Sequence, residues 1–179
     1  MQLVSVRAAK PLGRAGFVVG RKALPRAIDR NRLKRLLREM LRTARPDAQL
    51  ELAGRGWDAF VADLTTRKII PLTEGGKACR PRFAPDGTKV VYVSSDADGK
   101  GDIWLANPDG TAQERLTGLP ETFDYFPAWS PDGKYAVFAS GTKHYPHQGT
   151  WSLALVKIGT KRVIPLFKSG ARDVFPDWR

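Results

Sequence analysis

A repeat of about 44 to 46 residues in the C-terminal two thirds of the chain constrains the fold more than any other feature. Residues 82–89 (RFAPDGTK) recur 46 residues later as 128–134 (AWSPDGK), and residues 58–63 (DAFVAD) recur 44 residues later as 102–107 (DIWLAN). Short apolar runs between Asp-Gly turns favour strands joined by hairpins. A period of this length with four short strands per unit is typical of β-propeller blades.

The repeat also resembles a known family. The pattern Phe-x-Pro-Asp-Gly-x-Lys, followed by an apolar strand, is similar to the TolB-type propeller repeat. We expect the outer half of one blade at 57–73, two blades at about 78–117 and 124–167, and one further strand, because residues 124–129 (DYFPAW) return as 173–178 (DVFPDW). A closed propeller needs about four to eight blades. The open edges therefore predict self-association or a protein partner.

The charge of the chain is concentrated at its N-terminus. Residues 1–57 hold 14 Lys and Arg against 4 Asp and Glu, whereas residues 58–179 hold 16 against 14. A local surplus of this size attracts polyanions such as nucleic acid. The asymmetry indicates two modules with different partners, and we place them at residues 1–53 and 54–179.

The basic segment predicts two strands followed by a helix. Residues 2–8 alternate and are rich in Val, and residues 16–20 (GFVVG) form a second short strand between glycines. An apolar stripe at helical spacing follows, comprising Leu33, Leu36, Leu37, Met40 and Leu41. The predicted fold class is therefore α+β: a small basic β-β-α module, followed by an all-β partial propeller of about two to three four-stranded blades.

The same segment resembles the protein component of bacterial ribonuclease P over about residues 2–45. The Phe-Val-Val strand at 17–19 and the run Arg30-Asn31-Arg32, followed by Lys34 and Arg35, match the signature of that family. The resemblance implies an RNA-binding subunit that assists the RNA-catalysed 5′ processing of precursor tRNA. It implies ribonuclease P RNA and precursor tRNA as partners. The protein itself holds no cofactor, since Mg²⁺ acts through the RNA subunit.

Basic side chains carry the predicted RNA contacts. Guanidinium groups pair bidentately with phosphate oxygens, and folded RNA presents closely spaced phosphates. Helical spacing aligns several of these side chains on one surface. The candidate RNA-binding residues are Arg21, Lys22, Arg26, Arg30, Asn31, Arg32, Lys34, Arg35, Arg38 and Arg42. We identify no catalytic residue in the protein, so any enzymatic role, as an accessory subunit of an endoribonuclease, stays uncertain.

Other candidate sites are weaker. The Asp96–Asp102 loop looks like part of a calcium site but is better explained as a hairpin turn, and His144 and His147 lack a third metal ligand. We therefore expect no metal site. A lone cysteine, Cys79, excludes an intrachain disulfide. The sequence contains no apolar run of the roughly 20 residues that span a bilayer, and its N-terminus does not resemble a secretory signal. We expect a cytoplasmic protein without a membrane partner.

Two alternatives stay open at this point. The chain can be a TolB-like propeller module for protein interaction, with an incidental basic N-terminus. It can also be a non-functional fusion of two fragments that share a reading frame.

Overall fold

The computed structural model describes residues 2–8, 15–17, 35, 57–63, 68–144, 149–167, 170, 173–176 and 178. These residues form three four-stranded antiparallel sheets. The strands are β1 (Gln2–Ala8), β2 (Ala15–Phe17), β3 (Trp57–Asp63), β4 (Lys68–Pro71), β5 (Ala78–Phe83), β6 (Val90–Ser94), β7 (Asp102–Ala106), β8 (Glu114–Arg115), β9 (Phe123–Trp129), β10 (Tyr135–Gly141), β11 (Trp151–Lys157) and β12 (Arg162–Phe167). In the described part of the chain, no helix is long and apolar enough to cross a membrane.

The chain divides into two compact units, Met1–Lys77 and Ala78–Arg179. The first unit contains one sheet with the strand order β2-β1-β3-β4. Strand β1 pairs with β2, with Val6 opposite Phe17, and also with β3, with Val4 opposite Phe60. The predicted division between residues 53 and 54 stays a prediction.

The predicted α+β class, with a β-β-α module at the N-terminus, is wrong. The described part of the chain is nearly all β, with Arg35 its one helical residue, and the sheet that holds β1 and β2 is extended by β3 and β4. Helical periodicity is a local signal, whereas β1 finds its second partner about 50 residues further along the chain. Of the predicted basic helix the structure describes Arg35; the apolar stripe from Leu33 to Leu41 lies outside the described residues.

The second unit contains both blades that the repeat predicts, in a propeller-like arrangement. One sheet has the order β5-β6-β7-β8, and the other has the order β12-β11-β10-β9. The Pro-Asp-Gly sequences at 85–87 and 131–133 form the turns between β5 and β6 and between β9 and β10. Gly87 and Gly133 adopt φ of 75° and 70°, a conformation that glycine tolerates without strain. The Asp86 carboxylate accepts a hydrogen bond from the Thr88 amide at 2.9 Å, and Asp132 accepts one from the Lys134 amide at 3.1 Å.

The two sheets of the second unit pack face to face around one apolar core. Val91, Val93 and Ile103 of the first sheet meet Phe138 and Val156 of the second. All five side chains are buried. Trp129 joins the core and donates its indole N–H to the backbone oxygen of Arg82 at 3.0 Å. This bond connects β5 and β9, the first strands of the two blades.

In each of two repeats, a threonine hydroxyl makes the same hydrogen bond within the outer hairpin. The hydroxyl oxygen of Thr117 accepts the amide N–H of Ile103 at 3.0 Å, and that of Thr73 accepts the amide N–H of Ala59 at 3.0 Å. The backbone oxygens of Ile103 and Ala59 in turn accept from the amides of Leu116 and Leu72. Strands β3 and β4 therefore form a hairpin of the propeller-repeat type, although β3 also pairs with β1.

An ion pair between a buried carboxylate and a partly exposed guanidinium closes the β7–β8 hairpin. The Arg115 guanidinium lies 2.7 Å from the Asp102 carboxylate and also binds Asp98. The Asp102 side chain is 1% exposed, and its Oδ1 has no hydrogen-bond partner. Burial raises the pKa of Asp102 to about 6, with further increases from Asp98 and Asp124, and Arg115 opposes this shift.

Replacing Thr117 tests the repeated hairpin bond. Thr117→Val keeps the side-chain shape but leaves the buried amide of Ile103 without an acceptor, which costs roughly 1–3 kcal/mol of unfolding free energy. Urea unfolding of the full chain measures this loss. The matched control is Thr150→Val, because Thr150 is exposed and this change should stay within about 0.5 kcal/mol. Equal effects of the two substitutions would show that the bond is unimportant.

Asp102 should make stability depend on pH between about 4 and 6. Its folded-state pKa of about 6 lies above the ordinary value, so protonation favours the folded state. The contribution of Asp102 to the free energy of unfolding is fully present below about pH 4. It is lost as the pH rises through 6, and the total loss is on the order of 2–3 kcal/mol. In Asp102→Asn, the urea concentration at which half of the protein is unfolded should depend less steeply on pH between about 4 and 6.

Asp98→Asn is the control for this experiment. Hydrogen bonds from the Lys100 amide and from Arg115 lower the pKa of Asp98, so its titration lies below the window. The Asp98 charge is a smaller cause of the raised pKa of Asp102 than burial, so Asp98→Asn should retain most of the slope between pH 4 and 6. If Asp102→Asn also retains the full slope, the buried carboxylate is not its source.

Candidate nucleic-acid interface and propeller pocket

Most of the predicted RNA-binding residues lie outside the described part of the chain. These are Arg21, Lys22, Arg26, Arg30, Asn31, Arg32, Lys34, Arg38 and Arg42. Arg35 is described and its side chain is exposed, as a phosphate contact requires. The RNA contacts themselves stay predictions.

The described residues form a second candidate site, which the sequence did not reveal. It is a pocket of about 540 Å³ lined by Arg80, Arg82, Phe126, Pro127, Ala128, Phe175 and Pro176. We call it the propeller pocket. All its lining residues belong to the second unit. Its volume falls within the roughly 300–1,000 Å³ typical of ligand sites.

Equivalent positions of three successive repeats build the pocket. Arg80, Phe126 and Phe175 each precede a proline, and their φ angles are 55°, 60° and 59°. Left-handed backbone costs a non-glycine residue roughly 1–2 kcal/mol. In β5 and β9 the strand register shifts at this point, which is the signature of a β-bulge. The shared left-handed φ gives the three residues the same backbone setting in their repeats.

The three side chains stack on one another. The Arg80 guanidinium carbon lies 4.3 Å from the centre of the Phe126 ring, and the ring centres of Phe126 and Phe175 are 4.2 Å apart with their planes tilted by 55°. Arg80 also lies 5.6 Å from the ring centre of Tyr125. Cation–π contacts of this kind hold a guanidinium in place without neutralising it.

Cys79 borders the pocket on β5 as a half-buried thiol. Burial raises its pKa, while the charge of Arg80 and a 3.2 Å hydrogen bond from that guanidinium oppose the shift. The thiol is therefore the favoured form near neutral pH, so the geometry gives no activated nucleophile.

The structure describes the Asp96–Asp102 loop and one of the two candidate histidines, His144. The loop from Asp96 to Gly101 joins the paired strands β6 and β7, so the prediction of a hairpin turn is confirmed. His144 packs edge-on against the Phe123 ring at 5.3 Å, and His147 lies outside the described residues. Among the described residues, no group of three or more His, Cys, Asp or Glu side chains is arranged to hold a metal ion.

Comparison with known proteins finds a similarity for each part of the chain. The ribonuclease P family model matches residues 2–62, a segment that includes β1, β2 and nearly all of β3. The sequence resemblance extended to about residue 45, so the match adds the strand that pairs with β1. It follows that β3 lies in the family match and also in the propeller repeat.

A second similarity is to TolB proteins. The Tol-Pal system protein TolB of Azoarcus sp. is 37% identical over 71 residues, which is 40% of this chain and 16% of that protein. A solved structure assigned as TolB from Agrobacterium tumefaciens has a TM-score of 0.56 and 26% identity, covering 68% of this chain and 45% of that one. TolB from Acinetobacter baumannii, with a TM-score of 0.53 and 20% identity, shares the fold over 65% of this chain and 28% of its own.

This chain spans less than half the length of each of these TolB relatives. The predicted pairing of two families is confirmed: the chain joins a segment that matches the ribonuclease P family to a segment similar to the TolB propeller.

Proposed function

We propose that this chain is an RNA-binding protein of the ribonuclease P type, which assists RNA-catalysed 5′ processing of precursor tRNA in the cytoplasm. The match of the family model to residues 2–62 is the observation that supports this proposal most strongly. In this proposal the RNA subunit carries the Mg²⁺ and the chemistry. The protein binds RNA and positions it.

The charge distribution supports RNA as the partner. Residues 1–57 carry 14 Lys and Arg against 4 Asp and Glu, so the surplus lies within the family-matched segment. Cations that contact phosphates release counterions from the RNA, and the observed affinity then falls as salt rises. Arg35, on the predicted RNA-binding surface, has an exposed side chain.

The test is the affinity of the full chain for precursor tRNA at several salt concentrations. In the triple variant Arg30→Ala, Arg32→Ala, Arg35→Ala, three phosphate contacts are lost, and the slope of log affinity against log salt should fall by about two to three. Fluorescence anisotropy with labelled precursor tRNA measures both affinity and slope.

A second triple variant makes the matched control. Lys157, Lys161 and Arg162 are exposed on and beside β11 and β12, and changing them to Ala removes the same charge. This control should leave the affinity and slope near those of the wild type. Equal losses in the two variants would mean that net charge alone drives binding, and the proposal would fail.

A second candidate function is a TolB-like protein-interaction module. The propeller pocket favours it, because two arginines and two phenylalanines converge there on a near-neutral part of the chain. Concave sites with an apolar lining and a few polar groups are the usual place for ligands. The two functions are compatible, since they use different segments.

A further inference from the structure

We propose that the hairpin of β3 and β4 positions the RNA-binding segment, and that Thr73 and Asp58 are its positioning residues. The proposal rests on the proposed RNA-binding function and assigns a part in it to the propeller-type sequence. Its physical basis is strand β3, which pairs with β1 on one side and with β4 on the other. We call the hydrogen bonds that join Thr73 and Gly76 to Asp58 and Ala59 the Thr73 clamp.

The Thr73 clamp holds the beginning of β3. The Ala59 amide donates to the Thr73 hydroxyl oxygen at 3.0 Å, and that hydroxyl donates to the Asp58 carboxylate at 3.1 Å. The same carboxylate accepts the amide N–H of Gly76 at 3.0 Å. Both Thr73 and Ala59 are buried, and a buried donor that loses its acceptor is costly. These bonds therefore fix β3 at Asp58.

The next repeat contains a counterpart of the clamp. Thr117 accepts the Ile103 amide as Thr73 accepts the Ala59 amide. The aspartate of that repeat, Asp102, is bound by the Arg115 guanidinium, whereas the position equivalent to Arg115 in the first repeat is Pro71. The threonine bond is thus common to both repeats, so the same substitution in each of them compares the two units directly.

Strand β1 pairs with β3 in the register in which the second strand of a blade pairs with the third. Ser5 lies opposite Ala59, and Val93 lies opposite Ile103, the residue equivalent to Ala59. The other corresponding pairs of the two sheets are Gln2–Ala62 and Val90–Ala106, Leu3–Val61 and Val91–Leu105, Val4–Phe60 and Tyr92–Trp104, and Val6–Asp58 and Ser94–Asp102. A slip of one residue would turn every side chain of β1 to the opposite face. The shared register therefore indicates that β1 takes the place of the second blade strand.

The two strands that flank the RNA-binding segment meet on β1, beside the clamp. Residues 18–56 connect β2 to β3, hold 11 Lys and Arg against 4 Asp and Glu, and include all ten candidate RNA-binding residues. On β1, Val6 pairs with Phe17 on one side and with Asp58 on the other. Because neighbouring strands lie about 5 Å apart, Phe17 and Asp58 are held about 10 Å from each other. Asp58 thus belongs both to the clamp and to the attachment of the segment.

Holding the two ends of the segment together favours RNA binding. A connecting segment with fixed ends has fewer accessible conformations, so it loses less conformational entropy when its cations contact phosphates. The observed affinity falls in proportion to the fraction of molecules in the binding-competent conformation, and opening of the clamp reduces that fraction. By linkage, RNA that binds the segment stabilises the clamp by the same free energy.

The test measures the affinity of the full chain for labelled precursor tRNA by fluorescence anisotropy at several salt concentrations. Thr73→Val removes both the acceptor for the Ala59 amide and the donor to Asp58. It should weaken binding by roughly fivefold or more and lower the slope of log affinity against log salt by about one, because phosphate contacts are lost. Thr73→Ser keeps the hydroxyl and should restore affinity and slope to within about twofold of the wild type.

Thr117→Val is the matched control, since it removes the equivalent hydrogen bond from the second unit. Its affinity for precursor tRNA should stay within about twofold of the wild type. Equal losses in Thr73→Val and Thr117→Val, or a normal affinity in Thr73→Val, would overturn the proposal. A weaker affinity with an unchanged salt slope would also overturn it, because that result shows only a smaller folded fraction.

Hydrogen exchange in the wild-type chain makes the test independent of how well Thr73→Val folds. Bound precursor tRNA should slow amide exchange in residues 57–76, which contain the clamp, and leave the equivalent residues 101–120 of the second unit unchanged. Unchanged exchange in residues 57–76 of a chain that binds the RNA would overturn the positioning role alone. A wild-type chain that binds no precursor tRNA would instead overturn the proposed function, and the positioning role with it.

Discussion

The antiparallel pairing of β1 with β3 is the interaction on which the architecture of the first unit depends. It places a strand from the ribonuclease P-type segment beside a strand that also belongs to the propeller repeat. Through β3, the same sheet continues into β4, where Thr73 makes the hairpin bond that Thr117 makes in the next repeat. Within the first unit, the two kinds of sequence therefore share one hydrogen-bonded sheet.

The fold of the second unit depends on features that recur in each repeat. Its candidate binding site depends on side chains that differ between the repeats. The Thr hydrogen bond and the Pro-Asp-Gly turns recur with nearly identical geometry, and they serve the fold. At the position before proline, by contrast, the repeats share a left-handed backbone conformation but differ in side chain: Arg80 in one repeat, and Phe126 and Phe175 in the next two. The same left-handed position thus supplies a charged side chain to the propeller pocket in one repeat and an aromatic side chain in two others.

The repeat allowed the two complete blades and their turns to be predicted, because Pro-Asp-Gly and alternating strands are local signals. Local signals could not reveal the partner of β1, since strand pairing across about 50 residues depends on tertiary packing. They also missed the pocket: Arg80 and Phe126 differ in chemistry, and nothing in either residue indicates a left-handed φ. The sequence also did not predict how far equivalent side chains in different repeats are exposed. The equivalent leucines 72, 116 and 166 are 1%, 3% and 47% exposed, a difference that their similar local sequences do not indicate.

We propose that the N-terminal segment acts as a protein subunit for RNA catalysis. Cationic side chains that neutralise phosphates should reduce the Mg²⁺ that a catalytic RNA needs to fold and bind its substrate. The most direct measurement is the rate of precursor-tRNA cleavage by ribonuclease P RNA at a Mg²⁺ concentration where the RNA alone is nearly inactive. We expect the full chain to restore cleavage at the correct 5′ position. A chain that binds the RNA but leaves the rate unchanged would contradict it.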